Sequence, residues 1–406
     1  MGTYLKLAWR NLWRNRKRTV IAASSVFFAV FLALAMRSMQ KGSYDFMIDS
    51  SVRISTGYIQ VHAKDYWDKR SLDKSMVLDP EVISKISKLP DVTLVIPRFE
   101  TFTLVSHGNA TKVSPIVGIN PDKERTILKL QEKLVSGKYL TGSSKGVLIG
   151  QGLAELLKVG VGDSIVLYGQ GFHAITAAAL VPVQGIIKLP IPEMNKTMIY
   201  CSLSYAQWLY SAPGRLTSLS IMIDRPNRLD EVRSEVKKFF DDKYEVMTWK
   251  EMTPELVQSI EVDSAGGIIM LAILYIVIGF GIFGTIMMMT TERTKEFGIL
   301  IAVGMKKTKL IMVTTIETIF ISLIGVFAGI VISYPILLYF YYHPIKLTGE
   351  LAEAMLAFGV EPIMPFSIAP GIFIAQFWTV LLIALLSAWY PFRYVHKLKA
   401  VEAIRN

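Results

Sequence analysis

A single carboxylate, Glu317, stands inside an otherwise uncharged apolar run covering residues 310–345. A charge at membrane depth is costly and marks either a proton path or a structural pair. A proton path needs acidic or histidine partners in the neighbouring apolar runs, and those runs hold none. Glu317 is therefore expected to be structural, paired with a basic residue near the membrane face such as Arg10 or Arg393. The five histidines, His62, His107, His173, His343 and His396, are scattered along the chain and form no readable zinc or triad constellation. Cys201 is the only cysteine, so there is no disulfide within the chain and no cysteine-based metal site. Gly142-Ser143-Ser144-Lys145-Gly146 is glycine-rich but lacks the phosphate-loop spacing, and neither His-Glu-x-x-His nor Gly-x-Ser-x-Gly occurs. The expectation is no enzyme: no catalytic residue, no metal and no cofactor on this chain.

The elements around Glu317 are membrane helices. The 406 residues are 52% hydrophobic and 19% charged, against about 25% charged in an average soluble domain. Residues 19–36, 264–291 and 362–392 carry no charge at all. A span needs about 20 apolar residues at 1.5 Å rise each. Four transmembrane helices follow, at 19–36, 264–291, 310–342 and 367–391. Ala33-Leu34-Ala35 looks like a signal cleavage site, but the apolar run exceeds the usual length of a signal core, so an uncleaved helix is expected.

Charge sets the orientation. The net charge is +11, and three short segments, 1–18, 292–309 and 393–406, carry fifteen basic and three acidic residues. Residues 37–263 are close to neutral, with 28 basic and 26 acidic. Lys and Arg are retained on the cytoplasmic side, and four crossings put all three basic segments on that side. A nucleic-acid partner is not expected, because the basic excess sits beside apolar runs instead of on one soluble surface.

Region 37–263 reads as an α+β domain. Strands are expected at 58–62, 92–106, 111–119, 146–149, 164–168, 178–187, 197–201, 218–223 and 244–248, with helices at 80–89, 121–135, 151–158 and 228–240. Residues 37–50 and 254–263 look like helical stalks, suited to carrying motion or merely holding the domain off the bilayer. The proline-rich 181–194 segment reads as a loop or a protected edge hairpin. Gly325 and Gly329 suit close helix packing, within one chain or between two.

Three segments carry a family resemblance: LKLAWRNLWRNRKRT (5–19), TERTKEFGILIAVGMKKTKL (291–310) and WYPFRYVHKLKAVEAIRN (389–406). With the four-span layout they resemble the FtsX-like permease family of ABC transporters, which includes LolC/LolE, MacB and FtsX. The resemblance implies a membrane protein with four transmembrane α-helices and a large α+β extracytoplasmic domain of the MacB-like periplasmic core type. The implied layout is 1–18 cytoplasmic amphipathic helix, 37–263 periplasmic domain with stalks, 292–309 cytoplasmic coupling loop, 343–366 periplasmic loop and 392–406 cytoplasmic tail. Both termini would lie in the cytoplasm and the large domain in the periplasm of a cell inner membrane.

The same resemblance implies ATP and Mg on a partner ATPase dimer, contacted by the 292–304 element. There Glu292, Arg293, Lys295 and Glu296 offer charge, Gly298 and Gly304 allow close approach, and Phe297, Leu300 and Val303 offer apolar contacts. A second permease copy or paralogue and mechanotransmission are implied as well. The outer domain's size resembles LolC/LolE, which implies lipoprotein release, with a lipoprotein substrate, membrane lipid and a periplasmic lipoprotein carrier as partners. Phe27, Phe28, Phe31, Ile268, Met270 and Leu271 would line a substrate passage, or face lipid. The alternatives are a MacB-like exporter of peptides or small amphiphiles and an FtsX-like regulator of a cell-wall hydrolase.

Overall fold

The computed structural model describes residues 2–14, 16–189, 191–357 and 361–399. Part of the tail assigned to 392–406, residues 358–360 of the 343–366 loop, Pro190 of the 181–194 segment, and residues 1 and 15 lie outside the described residues. The chain divides into a helical unit (1–45, 259–346 and 363–406) and a sheet unit (46–258 and 347–362).

Four helices are long and apolar enough to cross a membrane: Arg16–Ser51, Pro254–Glu292, Lys307–Tyr342 and Pro370–Lys397. The last contains a break, with α-helices Pro370–Ser387 and Trp389–Lys397 on either side of it. The first two extend well beyond their apolar runs, as uninterrupted helix, into the sheet unit's residue range. Where they leave the helical unit they are tied together: the Tyr44 hydroxyl donates to the Asp263 carboxylate at 2.5 Å. Gly325 and Gly329 pack against the first of these helices within the same chain. A Cβ on Gly325 would sit 2.6 Å from Val26, and one on Gly329 2.7 Å from Val30. Close backbone approach of this kind is what small residues permit between membrane helices.

The sheet unit is built from ten strands: β1 (Ile59–Ala63), β2 (Val92–His107), β3 (Ala110–Ile119), β4 (Leu134–Gly137), β5 (Val147–Gly150), β6 (Ser164–Gln170), β7 (Thr176–Ile187), β8 (Ile199–Ser202), β9 (Ser218–Ile223) and β10 (Tyr244–Thr248). They run in the order β10-β1-β9-β2-β3-β8-β5-β7-β4, and β6 pairs with both β2 and β7. The pairings β2-β3-β8-β5-β7-β6-β2 therefore close into a ring of six strands, which leaves none of the six as a fully open edge. The long strand β2 serves both parts. Val92–Arg98 pairs with β9 in a four-stranded antiparallel sheet, and Phe99–His107 pairs with β3 in the ring.

Each part has its own core. Phe99, Val147, Ile149, Ile165, Leu167, Val181 and Val183 fill the ring. Helices Pro80–Ser87 and Leu229–Lys237 bury Ile86, Val232 and Val236 with the four-stranded sheet's Ile59, Val61, Leu219 and Ile221.

Three sequence expectations are settled or corrected. Residues 181–187 follow the expected strand at 178–187 and not the loop alternative for 181–194: they are the end of β7, paired with β5 and β4, and Val181, Val183 and Ile187 are buried. The 121–135 helix stops at Ile127, and strand β4 begins at Leu134. Residues 343–366 are not a bare loop either. They contain the strand pair Ile345–Lys346 with Ile363–Met364 and the helix Glu350–Ala357.

Candidate functional site

Within the helical unit, the 292–304 segment is a short helix, Thr294–Ala302, with two different faces. Phe297 is 1% exposed and packs with Leu310, Ile311 and Val395, while Leu300 and Ile301 are partly buried against the same cluster. Gly298 is buried too. The other face is open: Val303 is 82% exposed and Ile299 51%, four residues apart and hence on one side of the helix. Lys295 and Glu296 are exposed beside them. The helix ends because Gly304 takes a left-handed φ of +104°. Met305 N–H then reaches the Leu300 carbonyl and Gly304 N–H the Ile301 carbonyl, both at 3.0 Å. That is a Schellman closure, which satisfies the last carbonyls and needs glycine at this position.

Arg293 enters this helix from a buried position, 7% exposed. Its guanidinium donates to the Glu317 carboxylate. Asn11 Nδ2 donates to the other Glu317 oxygen at 2.6 Å, and Arg293 Nε donates to Glu296 at 3.2 Å. Arg14 also binds Glu296, at 2.8 Å, and Arg18 binds Glu292 at 2.8 Å. A buried pair is tolerated only when further hydrogen bonds satisfy its remaining groups, and Asn11 and Glu296 supply them. The space lined by Arg293, Glu317 and the apolar Ile286, Met289, Phe297 and Ile321 is about 20 Å³, room for a single water and no larger ligand. Thr294 and Tyr394 share a hydroxyl hydrogen bond of 2.7 Å, which links the short helix to Trp389–Lys397.

The structure thus splits the predicted contact residues. Glu292, Lys295, Glu296, Val303 and Gly304 are exposed, Leu300 is half-buried, and Arg293, Phe297 and Gly298 are anchors facing inward. Glu317 meets Arg293, not Arg10 or Arg393. Sequence reading missed Asn11, Arg14 and Arg18 as partners. A signal existed for Asn11, which lies between Ala8 and Leu12, the two buried apolar residues of helix Gly2–Arg14. Of the candidate passage residues, Phe28, Ile268 and Met270 are about 60% exposed, Leu271 is buried, and Phe27 and Phe31 are half-buried. Phe27 stacks on Phe31 at 6.1 Å and meets Phe28 edge-on at 5.0 Å.

Residues 19–239, more than half of the chain, match the family described as MacB-like periplasmic core domain. Residues 268–400 match the one described as FtsX-like permease C-terminal. An uncharacterized ABC transporter permease of Methanocaldococcus jannaschii is 21% identical over 99% of this chain and 97% of its own length. The lipoprotein-releasing system transmembrane protein LolC of Neisseria meningitidis is 23% identical over 58% of this chain and 59% of its own. The macrolide export ATP-binding/permease protein MacB of Agrobacterium fabrum is 22% identical over the whole chain. The chain spans only 60% of that MacB protein's length.

Proposed function

The chain belongs to the ABC transporter permeases that join a MacB-like periplasmic core domain to an FtsX-like permease part, and on that premise we propose that it transmits force from a separate ATPase to its sheet unit. In this reading the termini and the 292–304 segment lie in the cytoplasm, and the sheet unit lies on the far side of the membrane. ATP and Mg are held by an ATPase dimer, and a second permease copy or paralogue completes the membrane part. The observation that carries the reading is the two-faced helix Thr294–Ala302. Its inward face is fixed through Phe297 and the Arg293–Glu317 pair, while Ile299 and Val303 stay open to a partner. Two continuous helices, tied at Tyr44 and Asp263, support transmission onward.

The cargo we infer is a lipoprotein, in line with the name of the lipoprotein-releasing LolC relative, and in this reading it is lifted from the membrane and passed to a periplasmic carrier. The test is ATP-dependent release of an acylated lipoprotein from proteoliposomes. These would hold the full chain with the ATPase and permease partner that co-purify from native membranes. Release into the soluble fraction supports the reading. No release, with transport of an amphiphilic peptide instead, supports a second reading as an exporter. That second reading is favoured by one observation: the MacB relative aligns with the whole chain, and the LolC relative with 58% of it.

A further inference from the structure

Where β2 passes from the four-stranded sheet into the ring, the sheet unit has a partly open cavity of about 320 Å³. That is the lower end of the range for small-molecule sites. Its polar side is formed by Arg70, Arg98, Glu100 and Tyr200, and its apolar side includes Phe102, Leu128, Met194 and Met198. Arg98 is 3% exposed and holds the fully buried Glu124 in a bidentate pair, at 2.6 and 3.2 Å. Glu100 lies between two guanidiniums, 3.9 Å from Arg70 and 3.9 Å from Arg98. Those separations attract but are too long for hydrogen bonds, so the carboxylate keeps acceptor capacity. Tyr200 is 1% exposed, and its hydroxyl has no hydrogen-bond partner. Leaving a buried hydroxyl unpaired costs about 1–3 kcal/mol, and most such groups in proteins are satisfied.

The charges are balanced: two guanidiniums, Arg70 and Arg98, face two carboxylates, Glu100 and Glu124. An ionic ligand would bring an uncompensated charge into this space, at high cost. A neutral group that both donates and accepts would bridge the 3.9 Å gaps. We propose that this cavity binds an uncharged amphiphile, its hydroxyl- or amide-bearing head against Glu100, Arg70 and Tyr200 and its apolar part against Met194 and Met198. Methionine suits such a wall because its unbranched thioether adapts to irregular apolar shapes. The site does not depend on the transport reading above, since it is defined within the sheet unit alone.

The probe is hexyl β-glucoside with a diazirine at the chain end, added to the full chain in lipid nanodiscs. Labelled peptides are mapped by mass spectrometry. The expected result is saturable labelling around Met194–Met198, competed by excess hexyl β-glucoside but not by hexanoate or hexyltrimethylammonium. Met198→Trp, which fills the cavity, should reduce labelling at least fivefold. Tyr200→Phe, which keeps the ring and removes only the hydroxyl, should reduce it about threefold with unchanged circular dichroism. Labelling that does not saturate, that falls only on the membrane helices, or that is unchanged in both variants overturns the site. Equal competition by the charged compounds overturns its assignment to an uncharged head.

Discussion

Among the described residues, each unit of this molecule holds an arginine–glutamate pair whose two side chains are both under 10% exposed, and the two pairs are built differently. In the sheet unit, Arg98 and Glu124 are 3% and 0% exposed, and Glu124 receives both of its hydrogen bonds from the one guanidinium. In the helical unit, Glu317 is shared between Arg293 and Asn11, and Arg293 is shared between Glu317 and Glu296. The first pair pins one strand, β2, to one helix, Pro121–Ile127. The second joins three elements and extends to the surface through Glu296 and Arg14. A bidentate pair held wholly in the interior fixes a fold. A branched chain of charges that reaches an exposed helix can also report on what binds there.

The difference gives ordered predictions for the full chain, followed by unfolding in nanodiscs. Arg98→Ala should have the largest effect, about 4 kcal/mol, because it leaves Glu124 charged and without partner in the interior. Replacing both, Arg98→Met with Glu124→Leu, should recover most of that loss. Arg293→Ala should cost less, about 3 kcal/mol, because Asn11 still donates to Glu317. Equal losses for the two single substitutions would break the comparison.

Acid should separate the units next. His62 in β1 is fully buried, and burial lowers its pKa from 6.5 to about 4. Between those values the unfolded chain binds the proton and the folded one does not. Stability of the sheet unit should therefore fall as pH drops from about 6.5 to 4, by about 3 kcal/mol. Glu245, 3.7 Å from the ring, limits the loss by pairing with any imidazolium that forms. His62→Phe should flatten this slope, as seen in unfolding midpoints measured across the window. Arg14→Ala should have the smallest effect, under about 0.5 kcal/mol, since that outer bridge is 58% and 47% exposed. A loss above 1 kcal/mol would mean that the network extends to the surface as one unit.

Legibility in the sequence followed the background against which each residue stood. Glu317 was visible because it is the one charge in a long apolar run. Arg98 and Glu124 were invisible, because region 37–263 has ordinary charge density and nothing local marks a residue as buried. The four long helices were readable from run length, and most strands from β-branched runs. The ring closure was not, since β6, whose pairing with β7 is a local hairpin, must also meet β2 across a long stretch of chain. The 181–194 stretch carried two readings, a strand through 187 and a loop or protected edge hairpin suggested by its three prolines; the strand holds for 181–187, where Pro182 lies in β7 and pairs with Ser164 at the start of β6. In the 292–304 segment the sequence showed which residues are charged or apolar but not the directions in which they point. Arg293 and Phe297 turn inward, and only the helix's packing reveals that.

The central claim is that the open face of Thr294–Ala302 receives an ATPase. Cys201 is fully buried, so a cysteine introduced at an exposed position can be labelled selectively. Val303→Cys, carrying a photocrosslinker, is compared in native membranes with Val77→Cys, an exposed control in the sheet unit. The account predicts a nucleotide-binding subunit cross-linked from position 303 and not from position 77. No such adduct from position 303, with the same subunit still co-purifying, would contradict it.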